Sequence, residues 1–197
     1  VERIDETGVW VGGQHYELDC LIYASGFEFG ADITRRSGYE TVGRDGELLS
    51  EHWADGMRTL HGIHVHGFPN LFIVGITQAA NLISNITHNL TEAGTTIAAV
   101  VGRAVEVGAD QVEVTAEAEA GWLAQLDSTT GLFGNLDCTP GYYNNEGQAF
   151  SERDRLNGAR YAAGPVAYFE HIDRWRTSGD FERSEEHTSE LQSLAYL

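Results

Sequence analysis

The chain has 197 residues, of which 42% are apolar, enough for one sizeable hydrophobic core. Its formal net charge of −18, from 12 basic and 30 acidic residues, argues against a nucleic-acid partner, because phosphates repel such a surface. No stretch of about 18 apolar residues occurs, so no membrane span is predicted. Two cysteines and the lack of a leader-like start predict a cytoplasmic protein.

The first predicted elements form a hairpin that leads into a buried strand. Val9 and Val11 alternate with polar or aromatic neighbours, and the pair Gly12-Gly13 provides the turn. The stretch "DCLIYASGF", residues 19–27, then has adjacent apolar side chains from Cys20 to Ala24, which predicts a strand of a parallel sheet covered on both faces. That strand ends in Ser25 and Gly26.

A second strand and a long helix follow. The stretch "GFPNLFIVG" predicts a Pro-Asn turn and a strand from Leu71 to Val74 that stops at Gly75. A helix is predicted next, with Asn81 or Ser84 as its cap and Gly108 just past its end. Its expected buried stripe has three- and four-residue steps: Leu82, Ile86, Leu90, Ala93, Ile97, Val100 and Val101.

Two further helices are predicted in the second half. One begins after the cap residue Thr115 and runs to Leu126, with Trp122, Leu123 and Leu126 facing inward. The other begins at Pro165 and ends at Gly179. Its expected buried residues are Val166, Phe169, Ile172 and Trp175.

The last residues differ from the rest. The stretch "RSEEHTSELQS" resembles a translated sequencing adapter, so residues 183–197 are interpreted as an artefact and left out of the fold. A natural disordered tail is the alternative. The adapter-like stretch at one end and the missing Met at position 1 together indicate that the gene is incomplete. The predicted organisation is residues 1–110, 111–182 as a C-terminal extension of helices and loops, and 183–197.

Two buried strands that end in Gly26 and Gly75 suggest a ligand site. Glycine has no Cβ, so a ligand can approach the backbone closely, and a helix that starts beyond the second strand directs free N–H groups there. Nucleotide-type ligands bind at such sheet edges. The alternative is that Ser25-Gly26 is only a turn that ends a core strand.

Four stretches in order resemble the C-terminal part of flavin-containing and Baeyer–Villiger monooxygenases. They are "DCLIYASGF", "GFPNLFIVGITQAANLISNITHNLTEAGTTIAAVV", "CTPGYYNNEG" and "GPVAYFEHIDRWRTSGD". The resemblance covers Val1 to about Glu182, roughly the last third of such an enzyme. Ser25 stands where Thr is usual, and Ile76 stands where Pro often follows the glycine.

The resemblance implies an incomplete α/β fold, the C-terminal part of a Rossmann-like FAD/NAD(P)-binding domain with a helical extension. It implies FAD and NADPH as cofactors, with a ketone and molecular oxygen as substrates that yield an ester or lactone. The implied cofactor-binding residues are Ala24, Ser25, Gly26, Gly75, Thr77, Gln78, Asn85 and Ile86.

No catalytic residue is expected in this chain. No G-x-G-x-x-G occurs, so the nucleotide fingerprints are absent, and the resemblance places the family's arginine upstream. The chain alone is therefore expected to be inactive. Two alternatives stay open: part of a flavin-containing monooxygenase that oxidises nitrogen or sulfur, and a stand-alone binding domain without a cofactor.

The stretch "HGIHVH" contains three side chains of a type that commonly binds metal ions. His61, His64 and His66 lie close in sequence, but no carboxylate is spaced to complete a coordination sphere. We therefore predict no metal site and expect these histidines to lie in a loop near a substrate channel.

Overall fold

The computed structural model describes residues 1–24, 37–129, 139, 147–178 and 191–193. These residues combine helices with short strands, so the α/β class is confirmed. All the strand pairings among them are antiparallel, and the parallel sheet predicted from the sequence is not seen in this part of the chain. No helix among the described residues is long and apolar enough to cross a membrane.

The predicted hairpin at the start is confirmed. Strands β1 (Arg3–Asp5), β2 (Gly8–Val11) and β3 (Gln14–Glu17) form a three-stranded antiparallel sheet. Gly12 and Gly13 connect β2 to β3 with φ values of 59° and 77°. This two-residue turn requires positive φ at both positions, which glycine adopts without strain.

The buried strand predicted from Cys20 to Ala24 is wrong for this structure. These five residues have no regular secondary structure, and Ile22 and Tyr23 are 81% and 76% exposed. A parallel strand forms only where neighbouring strands supply backbone partners. No described segment offers such partners at this position, so the apolar run lies on the surface.

The strand predicted from Leu71 to Val74 is also wrong. Only one bridge forms there, between His64 and Phe72, and the Ile73 N–H donates to the Ile63 carbonyl oxygen at 2.7 Å. The segment is partly buried beside the preceding histidine loop. The preceding turn is confirmed, because the Leu71 N–H donates to the Phe68 carbonyl oxygen across Pro69-Asn70.

A small hydrophobic core stabilises residues 49–68, which lie between the two segments just described. Helix α1 (Leu49–His52) follows a tight turn at Asp45-Gly46, where both residues have positive φ. The core side chains under this helix are Leu49, Trp53, Val65 and Phe68.

The long helix is confirmed as α2 (Ile86–Val107). It ends at Gly108, which adopts the left-handed conformation with φ 70°, as predicted. Its cap is Asn85, whose side-chain oxygen accepts from the His88 N–H, and not Asn81 or Ser84. Asn85, one of the residues implied to bind the cofactor, is therefore the cap of α2, and Ile86 is the first residue of the helix.

The face that α2 buries matches the predicted stripe only in part, at Ala93 and Val100. Its buried residues are Asn89, Ala93, Thr96 and Val100. Several members of the predicted stripe and its continuation are exposed instead: Ile86, Leu90, Val101 and Val105. The described residues therefore cover a mixed polar and apolar face of the helix and leave these apolar side chains uncovered.

The C-terminal region adds four strands and three helices to the described chain. The prediction of a helix after the cap Thr115 is confirmed, although this helix ends before Leu126, which joins a strand. The elements are β4 (Val112–Val114), α3 (Ala116–Leu123), β5 (Leu126–Asp127), α4 (Glu152–Asn157), β6 (Arg160–Tyr161), α5 (Pro165–Ser178) and β7 (Leu191–Ser193).

Helix α5 packs against α2. Arg176 on α5 donates to the Glu92 carboxylate on α2 at 2.7 Å. Ile172 and Trp175 are buried as predicted, and Phe169 is partly buried. Val166 was predicted to be buried but is 70% exposed, and the neighbouring Tyr168 is buried in its place. The predicted end at Gly179 lies outside the described residues.

Three residues of the excluded tail take part in the fold. Leu191–Ser193, β7, pair with β4, opposite Val112–Val114. This segment was excluded because it resembles a translated sequencing adapter and differs in composition from the residues before it. An exposed edge strand offers backbone groups that any extended segment can pair with, so composition is a poor guide to such a contact.

The main core combines aliphatic and aromatic side chains with two histidines. His61 and His64 are 1% and 3% exposed, within ring contact of Trp175. The apolar residues of this core are Leu60, Ala79, Ala80, Val100, Val114, Trp122, Tyr168, Ile172 and Trp175.

These histidines make stability depend on pH. Burial lowers the pKa of His64 to about 4 and holds the pKa of His61 well below its usual range. Both are neutral in the folded state, whereas the unfolded chain binds a proton on each below about pH 6.5. Their contribution is therefore complete above about pH 6.5 and decreases as the pH falls, in the case of His64 down to about pH 4.

We expect the free energy of unfolding to fall by about 1.4 kcal/mol per pH unit for each such histidine within this window. Denaturant unfolding at about pH 7.5 and about pH 5 measures the change. His64→Phe removes one titrating group from the same space, so its pH dependence should be shallower. An unchanged slope in His64→Phe would contradict the assignment.

Candidate functional site

The described cofactor candidates other than Ala24 lie along one continuous segment, residues 75–86, which leads from Gly75 into α2. At Gly75 an added Cβ would meet only the Ile73 side chain, at 4.0 Å, so the backbone there is accessible to a ligand. The Thr77 hydroxyl donates to the Met57 sulfur at 3.3 Å. The backbone of the segment is therefore open at Gly75, and from Thr77 onward the segment packs against other parts of the protein.

Gln78 is the most enclosed residue of this segment. It is fully buried at 0% exposure, with φ 54°. Its amide nitrogen donates to the carbonyl oxygens of Met57 at 2.6 Å and Leu156 at 3.3 Å, and its amide oxygen accepts from the Thr59 hydroxyl at 2.6 Å. The side chain therefore bonds to protein groups in this structure, and its predicted contact with a cofactor stays a prediction.

An asparagine network connects the segment to α2. The Asn89 side-chain nitrogen donates to the carbonyl oxygens of Asn81 and Asn85, each at 3.2 Å, and to the Ser84 hydroxyl at 2.7 Å. Asn81 itself has φ 58° and donates to the Gly158 carbonyl oxygen at 3.1 Å. Sequence analysis did not assign a role to Asn89. The four-residue spacing of Asn81, Asn85 and Asn89 was the available signal.

Asn85 and Ile86 lie at the amino end of α2, and both are exposed. The Asn85 side chain satisfies the His88 N–H, and the amides before it have no partner inside the helix. A helix end of this kind carries about half a positive charge and favours an anionic group. The 22-residue helix therefore directs free N–H groups outward at the place where sequence analysis expected a cofactor.

The other three predicted residues belong to the segment around residue 24. Ala24 is exposed and outside regular secondary structure. Ser25 and Gly26 lie outside the described residues. Their predicted role next to the cofactor therefore stays a prediction.

Two histidine side chains, His61 and His171, form a pair in the protein. The Nε2 atoms of His61 and His171 are 3.1 Å apart, so one ring must donate and the other accept. Burial, followed by the nearby Arg174 charge, lowers the pKa of His171. His61, His64 and His66 lie in a loop, as predicted, and His61 belongs to the buried core. Their predicted position near a substrate channel stays a prediction.

A separate cleft of about 590 Å³ lies around Arg44, Glu113 and Glu117, and none of the described cofactor candidates lines it. Arg44 forms an ion pair with the buried Glu113 carboxylate, which also accepts from the Gly67 N–H at 2.9 Å. These bonds join Arg44, and Gly67 just after the histidines, to β4. Among the described residues, no group of three potential metal ligands comes together.

Comparison with known proteins relates about nine-tenths of the chain to one class of enzyme. The chain is 43% identical over 184 residues to pentalenolactone D synthase from Streptomyces exfoliatus, which covers 91% of this chain and 31% of that protein. It is 35% identical over 188 residues to Baeyer–Villiger monooxygenase 4 from Dietzia sp., covering 92% and 29%. No protein-family model matches the chain.

Solved structures agree with these relatives. The polycyclic ketone monooxygenase from Thermothelomyces thermophila superimposes with a TM-score of 0.74 at 27% identity, covering 96% of this chain and 30% of that one. A steroid monooxygenase bound to NADP gives a TM-score of 0.66 at 29% identity, covering 89% and 31%. The chain therefore spans about 30% of the length of the proteins that it matches.

Gly62 provides a test of how tightly the segment is packed. Its φ is 76°, and an added Cβ would lie 2.6 Å from the Thr77 carbonyl oxygen. We expect Gly62→Ala to destabilise the protein by about 2 kcal/mol or more, because backbone strain and a backbone clash act together. Thermal or denaturant unfolding measures the loss.

Gly108→Ala is the matched control. Gly108 has a similar φ of 70°, but an added Cβ there meets nothing within 4 Å. It should lose only the cost of the left-handed conformation, about 1 kcal/mol. Equal losses in the two variants would show that the contact with Thr77 does not limit the segment.

Proposed function

We propose that this chain, which belongs to the Baeyer–Villiger monooxygenase family, is the C-terminal part of an enzyme that uses FAD and NADPH to insert one oxygen atom next to a ketone. The observation that carries the proposal is the 43% identity to pentalenolactone D synthase across 91% of the chain. The 35% identity to Baeyer–Villiger monooxygenase 4 over 92% of the chain supports it.

Two observations favour this function over the alternatives. The solved relative with a TM-score of 0.74 is named for polycyclic ketones, which supports a ketone substrate over oxidation at nitrogen or sulfur. A stand-alone binding domain would be expected to cover its apolar helix faces. In the described part of this chain, the outer face of α2 is uncovered, and Val105 is 75% exposed.

The residues present fit one part of a flavin site. Gly75 leaves room for a ring to approach the backbone, and the free amides before His88 at the start of α2 suit its electron-rich edge. A charge there would be stabilised by about 0.3–1 kcal/mol. Without a G-x-G-x-x-G, this chain lacks the usual binding motif for the pyrophosphates.

In this proposal the chain binds and orients, and it supplies no catalytic residue. FAD, when bound, supplies the redox chemistry with molecular oxygen, and NADPH supplies the electrons. Ala24, Ser25 and Gly26 are proposed to lie against the same cofactor. Gln78 is proposed to fix the backbone path of residues 75–86, in addition to any direct contact that it makes with the cofactor. A cytoplasmic location, the absence of a nucleic-acid partner and the Rossmann-like topology remain predictions.

The exposed apolar residues are proposed to contact the remaining 70% or so of the enzyme, since the chain spans only about 30% of its relatives. They lie on two stretches: the segment with Ile22 and Tyr23, and the α2 stripe with Ile86, Leu90 and Val101.

The proposed activity can be tested on the product of the gene with its upstream coding sequence. We expect the purified protein to contain FAD and to oxidise NADPH in the presence of cyclic ketones. Mass spectrometry with isotopically labelled oxygen should find one labelled atom in an ester or lactone. The 197-residue chain alone, as the control, should retain no FAD.

Oxidation of amines or sulfides without reaction of any ketone would support the nitrogen- or sulfur-oxidising alternative. A longer product without flavin would contradict the proposed function. A reading frame that begins at Val1 and gives a cooperatively folding protein would favour the stand-alone domain.

The proposed contact surface on α2 can be tested separately. Leu90→Gln should change the unfolding free energy of this chain by about 0.5 kcal/mol or less, because Leu90 is exposed. In the longer product the same change should lower thermal stability and FAD content, since a polar group would be buried there. Val100→Gln, on the buried face, should destabilise both proteins by about 2 kcal/mol or more. Equal behaviour of Leu90→Gln in both would contradict the surface.

A further inference from the structure

The segment that carries the cofactor candidates has an unusual backbone. Gln78 and Asn81 both adopt the left-handed conformation, with φ 54° and 58°, although neither is glycine. Such positions cost about 1 kcal/mol or more and persist only when surrounding contacts fix them. The segment therefore needs a support outside itself.

Backbone bonds from the C-terminal region provide that support. The Gln78 N–H donates to the Ala159 carbonyl oxygen at 2.7 Å, and the Tyr161 N–H donates to the Ala79 carbonyl oxygen at 3.0 Å. The indole N–H of Trp122 donates to the Gln78 carbonyl oxygen at 3.0 Å. Both backbone polar groups of Gln78 are thus held by residues more than 40 positions further along the chain.

Side-chain bonds add two more attachments to the same region. Gln78 donates to the Leu156 carbonyl oxygen at 3.3 Å, and Asn81 donates to the Gly158 carbonyl oxygen at 3.1 Å. We call Trp122 together with residues 156–161 the C-terminal support. It forms hydrogen bonds with three of the four residues from Gln78 to Asn81, namely Gln78, Ala79 and Asn81.

The junction excludes water. Gln78 and Ala159 are 0% exposed, and Trp122 and Asn81 are 1% exposed. Trp122 also stacks on Tyr161, with ring centroids 5.0 Å apart and an interplanar angle of 3°. In such surroundings a broken hydrogen bond leaves an unsatisfied polar group, so the segment cannot shift without disrupting the C-terminal support.

From these contacts we propose that the C-terminal support fixes the geometry of residues 75–86, and that Trp122 and Gln78 are positioning residues for the cofactor site. They act through the path of the segment: Gly75 and Thr77 precede the fixed point, and Asn85 and Ile86 follow it. The second clause rests on the proposed function, whereas the first concerns this chain alone.

The primary test is amide hydrogen exchange in the 197-residue chain. Trp122→Phe removes the donor to Gln78 and keeps an aromatic ring. We expect exchange at the Gln78 and Asn81 amides to become about 2- to 10-fold faster, while amides in the middle of α2 keep their rates. Should this variant fail to fold, Asn81→Gly removes the bond to Gly158, retains the left-handed conformation and carries the same expectation for Gln78.

Tyr168→Phe is the matched control. It also removes one buried bond from an aromatic side chain to a backbone carbonyl, in this case that of His61 at 3.0 Å, and this bond does not involve residues 75–86. Its Gln78 and Asn81 amides should exchange at the wild-type rate. Unchanged exchange in Trp122→Phe, or an equal rise at all core amides in both variants, would overturn the proposal.

The link to the cofactor is tested in the longer, flavin-containing product. Trp122→Phe should change the visible circular dichroism of the flavin and its reduction potential, and Tyr168→Phe should change neither. Faster exchange with an unaltered flavin signal would overturn the positioning role. A product that binds no flavin would contradict the proposed function, while the exchange result would still decide whether the C-terminal support fixes the segment.

Discussion

The structure depends on how the backbone of Gln78 is held. This residue is fully buried in a left-handed conformation, and its N–H, carbonyl and side-chain amide all bond to groups from other parts of the chain. Because water cannot replace these partners, the residues before and after Gln78 have one available path. The open backbone at Gly75 and the start of α2 therefore have a fixed relation, which a cofactor bound between them would require.

The same region joins the two halves of the predicted organisation. Sequence analysis divided the chain near residue 110, but the main core combines Leu60 and Ala79 from the first part with Trp122 and Ile172 from the second. Ion pairs reinforce the junction, since the buried Glu113 and Glu119 carboxylates face Arg44 and Arg58. The C-terminal extension is thus packed into the first part, which explains how it can act on residues 75–86.

Local signals in the sequence predicted the local structure well. The hairpin at Gly12-Gly13, the cap at Thr115, the stop at Gly108 and the start at Pro165 each depend on a few neighbouring residues, and all four are confirmed. The two buried strands were wrong because a strand also needs partners that its own sequence does not specify. The hydrogen bonds of Gln78 could not be predicted either, since they join residues that are far apart in the chain. Asn89 was missed because a polar residue in a helix is usually exposed, and its four-residue spacing from Asn81 and Asn85 was the one sign of a shared face.

The exposed apolar residues and the fixed segment both support the interpretation that this chain is one part of a larger enzyme. They do so through different physical effects. Residues 20–24 and the outer stripe of α2 have the composition of a core and the exposure of a surface, a combination that a complete small domain avoids. The N–H, carbonyl and side-chain amide of Gln78, by contrast, all have hydrogen-bond partners within this chain. A chain that spans about 30% of its relatives can therefore form the support of a site while leaving the surface for the rest of the enzyme open. Burial of that surface against the rest of the enzyme would add stability to the chain. It would not change the backbone path of residues 75–86, because in our proposal the C-terminal support and the contacts on the opposite, buried face of α2 already determine that path.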